Sequence, residues 1–445
     1  MPPRTIAATF ARGGTSRGLL FRAGTLAPYS QAVRDRIILT ALGSPDPAGR
    51  QISGLGGGVS SLSKAAILSL PGEGAEVLAG EWPGVRWADE GKKAGVGEWD
   101  IIYRFAQVGV KEPVLDWSAS CGNMFAAAAL HALSTPILPY STLFARSRTL
   151  PRPEPDQPLL FPLSILSASN GVLMRAKVPI DPISLLPWEP NEGEGVEIAG
   201  VPGKDEPGIE VEMPLDSGEG GASAGLVTGN AKDVVKLDNG EEVTVSILTS
   251  GLPNVFLPVS SLLSLSAFSA APLPSDLLTL PPSALTSLPC LASTLETIRT
   301  SAARQFSIPL SLASPKITLV GAMPQDGYAT TAGGRVEKGE ADLSVRAVSS
   351  GDWHATIPGT TLGAANIGLG TAGSVIHELV SAGGSSPSSS NGVVTVRAAH
   401  AAGVAESSVR FEAGRPESVV MVRTAREIMM GEVMVPERIF WEGQE

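Results

Sequence analysis

Cysteine, histidine and aromatic residues are scarce in this chain. Phe, Trp and Tyr make up 5% of the 445 residues, and there are two cysteines and four histidines. Two cysteines cannot form a disulfide framework or a thiolate metal cluster. The histidines are scattered without the short spacings of metal ligands, at His131, His354, His377 and His400. We therefore predict no metal site.

Positive charge and long apolar runs are also lacking. Lys and Arg number 33 against 44 Asp and Glu, which gives a formal net charge of -11. Nucleic-acid-binding proteins carry basic surfaces instead. No apolar run approaches the ~20 residues that cross a bilayer, and the N-terminus lacks the apolar core of a signal peptide. These absences predict a soluble, cytoplasmic protein without nucleic-acid or membrane partners, in which an anionic ligand needs a local positive site.

Glycine and proline are abundant, with 50 and 36 residues, in a chain that is 43% hydrophobic. This composition favours many short strands joined by turns, and the length favours two domains. Strand-rich segments flank a small-residue helix on each side of a linker at about 181–206. We predict an α+β fold with two similar domains, each a curled β-sheet or barrel around a central helix. The expected bounds are 1–205, completed by 424–445, and 206–423.

Local patterns predict individual elements within these domains. Apolar residues at helical spacing predict a helix over Gln31–Leu42 that ends at Gly43. We also predict a helix that runs to about residue 369 and a strand over 374–380, while 134–162 has the composition of a Pro-rich connection.

A thiol at the start of a helix is the chain's most specific chemical feature. Cys121 is followed by Gly122, Asn123 and Met124 and then by an alanine-rich stretch. The free N–H groups and partial positive charge of a helix N-terminus stabilise a thiolate and bind carboxylates. The alternative is a buried cysteine that only packs against small residues. The Gly-Asn that follows favours the functional interpretation, because glycine permits close backbone approach.

Two glycine-rich turns carry cationic side chains. The first reads Arg-Gly-Gly-Thr-Ser-Arg-Gly at 12–18. Its arginines are candidate carboxylate clamps, although each alone is also typical of a solvated charge. The second turn, 54–64, ends in Lys64 just before an apolar strand. A lysine there would lose hydration, which lowers its pKa toward that of a usable base. The alternative is a surface lysine whose ammonium stays in water.

Two motif matches lack their required context. Ser61–Lys64 fits the S-x-x-K of penicillin-binding enzymes, but the companion S-D-N and K-T-G motifs are missing. Gly368–Gly373 fits G-x-G-x-x-G, but it follows a predicted helix, whereas a dinucleotide-binding turn precedes one.

Short motifs in a consistent order resemble the PrpF family of methylaconitate isomerases along nearly the whole chain. They include 12–18, Gln-Ile-Ser-Gly-Leu-Gly-Gly (51–57), Ser63-Lys64, Phe-Ala-Gln-Val (105–108), Cys-Gly-Asn-Met (121–124), Ala-Ser-Pro-Lys (313–316) and Val-Arg-Thr-Ala-Arg (422–426). The chain has Arg17, Ser120 and Leu252 where the family usually has Lys, Asn and Asn. It also lacks the second active-site cysteine of the related epimerases.

The resemblance implies a fold similar to that of diaminopimelate epimerase, with the active site in the cleft between the domains and no metal or organic cofactor. It implies that Lys64 and Cys121 are the catalytic pair and that the ligand is a small unsaturated di- or tricarboxylic acid. A homodimer is the assembly considered. The predicted substrate-binding residues are Arg12, Thr15, Ser16, Arg17, Ser63, Ser120, Gly122, Asn123, Met124, Asn254, His354 and Thr360.

We therefore predict a cofactor-independent isomerase that catalyses a 1,3-proton shift. The substrate would be an unsaturated polycarboxylate such as aconitate, methylaconitate or methylitaconate, and the outcome double-bond migration or cis/trans isomerisation. Two alternatives stay open. One is a non-catalytic accessory protein of an iron–sulfur dehydratase. The other is an amino-acid racemase or epimerase, which the missing second cysteine disfavours.

Overall fold

The computed structural model describes residues 4–71, 99–118, 121–135, 137–168, 172–215, 225–269, 272–383, 388–390 and 392–441. The chain divides into two compact units. Unit 1 consists of Met1–Ile198, Gly203–Met213 and Val422–Glu445, and unit 2 consists of Ala199–Pro202 and Pro214–Met421. That the two parts are domains with the bounds expected above stays a prediction.

Unit 1 consists mainly of strands. They are β1 (Arg4–Gly13), β2 (Ser16–Arg22), β3 (Lys64–Ser69), β4 (Ile101–Val108), β5 (Leu115–Asp116), β6 (Leu159–Ser167), β7 (Leu173–Ile180), β8 (Ile209–Pro214) and, near the C-terminus, β21 (Ala425–Val435). The helices are α1 (Ala23–Leu26), α2 (Gln31–Leu42), α3 (Gly122–Ser134) and α4 (Tyr140–Ser147), with 3-10 turns at Ser60–Leu62 and Glu437–Phe440.

The strands of unit 1 form a sheet that curls around α3. Their order is β21-β1-β2-β3-β4-β6-β7-β8, with parallel pairs β2–β3 and β4–β6 and antiparallel pairs elsewhere. The helix contacts β1, β2, β3, β4, β7 and β21. Every residue from Gly122 to Leu133 is buried, and the alanines among them let strands approach the helix from several sides. The Cys121 helix is therefore the core of the unit.

The helix predicted over Gln31–Leu42 is confirmed with the same bounds. Gly43 ends it in the left-handed region, with a φ of 76°, and its N–H donates to the carbonyls of the last turn. Glycine adopts this conformation without a steric penalty. Val33, Ile37 and Ile38 form part of the buried face of the helix.

Unit 2 has further strands and helices. The strands are β9 (Asp233–Lys236), β10 (Glu242–Thr249), β11 (Pro253–Pro258), β12 (Lys316–Gly321), β13 (Tyr328–Ala329), β14 (Arg335–Val336), β15 (Leu343–Ser349), β16 (Asp352–Trp353), β17 (Ser388–Ser390), β18 (Val393–His400), β19 (Gly403–Glu412) and β20 (Arg415–Arg423), which ends in unit 1. The helices are α5 (Val259–Leu263), α6 (Pro282–Thr286), α7 (Leu291–Gln305), α8 (Gly359–Gly370) and α9 (Val375–Ala382), with 3-10 turns at Ser266–Phe268 and Leu277–Thr279. Within the described residues, no helix combines the length and apolarity needed to span a bilayer.

Unit 2 repeats the plan of unit 1. Its order, β9-β10-β11-β12-β15-β18-β19-β20, has parallel pairs at the same places, β11–β12 and β15–β18, and antiparallel pairs elsewhere. The helix α8 is buried from Gly359 to Leu369 and contacts β10, β11, β18 and β19. The prediction of two curled sheets, each around a small-residue helix, is thereby confirmed for the described residues.

Two local predictions are wrong. The segment predicted as a strand over 374–380 is the helix α9. Ser374 caps it, because its hydroxyl accepts a hydrogen bond from the His377 N–H at 3.0 Å, and the apolar residues Val375, Ile376, Leu379 and Val380 have helical spacing. The connection expected over 134–162 contains α4.

A hydrogen bond between side chains attaches the end of α3 to β21. The His131 ring, 5% exposed, bonds through Nδ1 to Glu427 Oε1. Burial raises the pKa of the Glu427 carboxyl, but hydrogen bonds from His131 and Ser134 and the attraction of His131 outweigh it, so the net pKa lies below its ordinary value. The charged form of Glu427 therefore stabilises the folded state.

We expect Glu427→Gln to lower the free energy of unfolding at pH 7 by about 1.5–3 kcal/mol, the scale of a hydrogen bond to a charged group. Because the folded pKa is depressed, this contribution is full above the unfolded pKa of about 4.3 and is lost as pH falls through the folded pKa. Urea unfolding at pH 7 and at pH 3.5 measures the difference. Glu432→Gln, at an exposed position of the same strand, is the control. A destabilisation undiminished at low pH would contradict the assignment.

Candidate active site

Lys64 lies at the first position of β3, between two strands. It pairs with Gly18 of β2 in parallel register and with Gln107 of β4 in antiparallel register. A Cβ at Gly18 would overlap the Lys64 carbonyl, so this close pairing requires glycine. The Lys64 residue is 7% exposed, and its ammonium nitrogen lies 5.4 Å from the centre of the Phe105 ring. The lysine is thus a buried group.

The surroundings of Lys64 favour the neutral amine. Its Nζ donates to the Gln107 side-chain oxygen at 2.5 Å, and Gln107 carries no charge. Burial lowers the pKa of Lys64, while the attraction of Cys121 acts in the opposite direction. The net pKa lies below its ordinary value, which suits a general base.

Cys121 occupies the N-cap position of α3, with φ -143° and ψ 105°. Its carbonyl accepts the Phe125 N–H at 2.9 Å and the Tyr103 hydroxyl at 3.3 Å. Its Sγ lies 4.0 Å from the Ser16 hydroxyl oxygen. Cys121 therefore lies at the end of the helix whose first N–H groups lack intrahelical partners, and its side chain makes no capping hydrogen bond to them.

Asn123 joins the start of α3 to the β1–β2 turn and to a buried arginine. Its Nδ2 donates to the hydroxyls of Thr15 at 3.2 Å and Ser16 at 3.3 Å. Its Oδ1 accepts from Arg423 Nε at 2.9 Å. Burial lowers the pKa of Arg423 to about 10, against the attraction of Cys121, and a second guanidinium nitrogen donates to the Val422 carbonyl at 2.7 Å. These hydrogen bonds hold the guanidinium rigidly beside the start of α3.

The two arginines of the first glycine-rich turn differ in their partners. Arg12 donates to the Gly14 carbonyl at 3.1 Å and the Thr424 hydroxyl at 3.0 Å and pairs with Glu206 at 2.9 Å, so it braces the turn. The Arg17 guanidinium lies 5.1 Å from the Phe10 ring centre, and its buried Nε has no hydrogen-bond partner among the described residues. Arg17 is the better placed of the two to bind an anion.

Ser63 belongs to the scaffold beneath the second glycine-rich turn. Its hydroxyl accepts from Gln51 Nε2 at 2.7 Å, and the same nitrogen donates to the Ser44 hydroxyl at 2.8 Å. Gln51 Oε1 accepts the Gly58 N–H at 2.9 Å. This network holds the turn that leads into Lys64.

Unit 2 contains three of the predicted binding residues. Asn254 is fully buried and accepts the Thr361 hydroxyl at 2.9 Å, and the Thr360 carbonyl accepts the Ser250 hydroxyl at 2.8 Å. His354 Nδ1 accepts the Thr356 N–H at 3.2 Å. Asn254 and the start of α8 are thus adjacent. Their role in substrate binding stays a prediction, and Ser120 lies outside the described residues.

Three residues of this site were not identified from the sequence: Tyr103, Gln107 and Arg423. Gln107 is a polar residue in β4, whose residues are all buried, and this local contrast was a usable signal. Tyr103 and Arg423 offered no such signal, because they reach the Cys121 helix only through the curvature of the sheet. Arg423 is 300 positions from Asn123 in the sequence.

Comparisons with known proteins agree with this architecture. The family model described as "PrpF protein" matches residues 4–75 and 92–436. The 2-methyl-aconitate isomerase of Shewanella oneidensis is 29% identical over 98% of both chains, and the 2-methyl-aconitate isomerase of Cupriavidus necator is 28% identical over 99% of both. A crystal structure of methylitaconate-delta-isomerase has a TM-score of 0.64 at 23% identity, over 100% of this chain and 98% of that one. The predicted fold class is confirmed by that likeness.

The contact between the turn and the helix yields a stability prediction. A Cβ at Gly13 would overlap the Asn123 carbonyl oxygen, and Gly14, with a φ of 48°, would place a Cβ 2.5 Å from Asn123 Oδ1. We expect Gly13→Ala to lower the free energy of unfolding by at least about 1–3 kcal/mol, because the backbones at Gly13 and Asn123 must move apart. Chemical denaturation measures this. In the control Gly431→Ala the added Cβ meets nothing within 4 Å. Equal stabilities of the two variants would show that the contact is not tight.

Proposed function

This chain belongs to the PrpF family, and on that basis we propose that it is an isomerase of small unsaturated di- or tricarboxylic acids. The reaction is a 1,3-proton shift that moves a carbon–carbon double bond. The observation that carries the proposal is a buried lysine, Lys64, whose pKa is lowered by burial, together with a cysteine, Cys121, at the N-cap position of the central helix. Such a pair supplies one proton acceptor and one proton donor.

The relatives indicate the substrate class. Both named relatives are 2-methyl-aconitate isomerases that align over nearly their full length. We propose an acid of the aconitate type for this chain, with 2-methylaconitate as the first compound to test. The arrangement of Arg17, the first turn of α3 and the hydroxyls of Thr15 and Ser16 supports a carboxylate ligand, because all of these can donate hydrogen bonds.

In the proposed mechanism the neutral Lys64 amine removes a proton from the carbon between the double bond and a carboxylate. The electron pair of the broken C–H bond delocalises through the double bond into the carboxylate, forming a dienolate. The Cys121 thiol then gives its proton to the far allylic carbon and becomes a thiolate. Transfer of a proton from the Lys64 ammonium to this thiolate, directly or through solvent, restores both groups. The opposite assignment of acid and base balances equally.

Stabilisation of the dienolate is the second requirement. Negative charge that develops on a substrate carboxylate needs fixed donors in a water-poor site. The N-terminus of α3 and the Arg17 guanidinium are such donors, and the loss of one donor of this kind typically costs on the order of 100-fold in rate. Arg423 adds a buried positive charge on the Cys121 side.

Turnover of a panel of unsaturated acids in deuterium oxide tests the proposal. The panel consists of cis- and trans-aconitate, 2-methylaconitate, itaconate and 3-methylitaconate, followed by proton NMR. Because an ammonium and a thiol exchange their protons with water, we expect the isomerised product to carry solvent deuterium at the newly protonated carbon. A non-catalytic accessory protein would convert none of the acids, and that result would overturn the proposal.

Substitution of the two catalytic residues tests their assignment. Lys64→Met keeps the length of a buried side chain but cannot accept a proton, so we expect kcat to fall by roughly three orders of magnitude. Cys121→Ser replaces a thiol by a far less acidic hydroxyl and should lose most activity. The control is Lys177→Met, since Lys177 is 52% exposed in its side chain. Thermal unfolding verifies folding. A folded Lys64→Met enzyme within tenfold of wild type would remove Lys64 from the mechanism.

A further inference from the structure

Gln107 has a buried side-chain amide whose oxygen and nitrogen both form hydrogen bonds, the oxygen with Lys64. It is 3% exposed. Its Nε2 donates to the carbonyls of Ser60 and Ser63, both at 3.0 Å. Because carbonyl oxygens only accept hydrogen bonds, the amide nitrogen must face them and the amide oxygen must face Lys64. The orientation of the side chain is thereby set by the backbone of the second glycine-rich turn.

This orientation has two consequences for Lys64. The oxygen accepts one N–H of the lysine in either protonation state, which holds Nζ in one place. The oxygen is also neutral, so the ammonium gains no counterion from β4. A carboxylate at the same distance would strongly favour the ammonium, which cannot act as a base.

We propose that Gln107 is a positioning residue that fixes the Lys64 amine and, by being uncharged, withholds the counterion that would favour the ammonium. The consequence for turnover rests on the proposed function, whereas the consequence for the protonation of Lys64 does not. The interaction was not evident from the sequence, because it depends on the register that places Lys64 opposite Gln107.

Other titratable groups belong to the elements packed against Lys64. Cys121 at the start of α3 attracts the ammonium. Arg17 of β2 and Tyr103 and Arg104 of β4 lie on the two strands that flank β3. Burial, with a contribution from Cys121, raises the pKa of Tyr103 well above its ordinary value, so Tyr103 stays neutral through the working range. All of these groups are unchanged by substitution of Gln107.

Two substitutions of Gln107 should shift the protonation of Lys64 in opposite directions. Gln107→Glu keeps the length of the side chain and places a carboxylate beside Nζ, so the pKa of Lys64 should rise by about 1–3 units. Gln107→Met removes the acceptor without adding charge, so the ammonium loses a hydrogen bond and the pKa should fall. A residue that only packs would give no opposed shifts. Gln305→Glu, at an exposed glutamine, is the control for added charge.

The shifts are measured by NMR titration of the full-length protein labelled with carbon-13 lysine, in which the Lys64 signal is the one missing from Lys64→Met. The pH dependence of kcat/KM is recorded in parallel, and its acid limb should move up for Gln107→Glu and down for Gln107→Met. Gln107→Met remains informative if Gln107→Glu does not fold. A Lys64 midpoint within about 0.3 units of wild type in a folded variant would overturn the proposal. Opposed NMR shifts in a protein that isomerises none of the acids would support the role of Gln107 and overturn the proposed function alone.

Discussion

The site of unit 1 depends on the hydrogen bonding of the Asn123 amide. One end of this buried side chain donates to the β1–β2 turn and the other accepts from Arg423 at the end of β20. A buried amide left without partners costs about 1–3 kcal/mol, so the meeting of the three segments contributes to the stability of the unit. Because Asn123 lies in the first turn of α3, the same contacts hold Cys121 in place. Glycine is needed at 13 and 14, because a Cβ at either position would overlap Asn123.

Two basic side chains are buried around Cys121 without a carboxylate partner among their described contacts. Lys64 donates to an amide and Arg423 to an amide and a carbonyl, and burial lowers the pKa of both. Burial of a charge is costly unless an opposite charge compensates it. In the proposed function the substrate carboxylates supply that charge. An acidic chain can therefore bind an anion, because the positive charge is local.

The two units have the same pattern of strand pairs around a central helix, but they carry different side chains at equivalent places. β3 and β12 occupy equivalent places and both begin with a buried lysine, Lys64 and Lys316. In unit 2 the residue that caps the central helix is Pro358, not a cysteine, and Lys316 Nζ donates to the Ala313 carbonyl at 2.9 Å. The strand order is thus a property of the repeat, whereas a cysteine at the N-cap of the central helix occurs in unit 1 and not in unit 2.

Local sequence was sufficient for features whose cause is local. The helix at Gln31–Leu42 and its end at Gly43, the glycine-rich turns, and the choice of Lys64 and Cys121 as candidates all follow from patterns within a few residues. The strand predicted over 374–380 is wrong, because short apolar stretches fit a strand or a helix equally well. The Ser374 hydroxyl caps the N-terminus of the segment and thereby favours the helix. Only the tertiary structure could reveal the partners of Gln107 and Arg423. Strand register places the first opposite Lys64, and the curl of the sheet brings the second to Asn123 across 300 positions; neither pairing leaves a mark in the sequence around it.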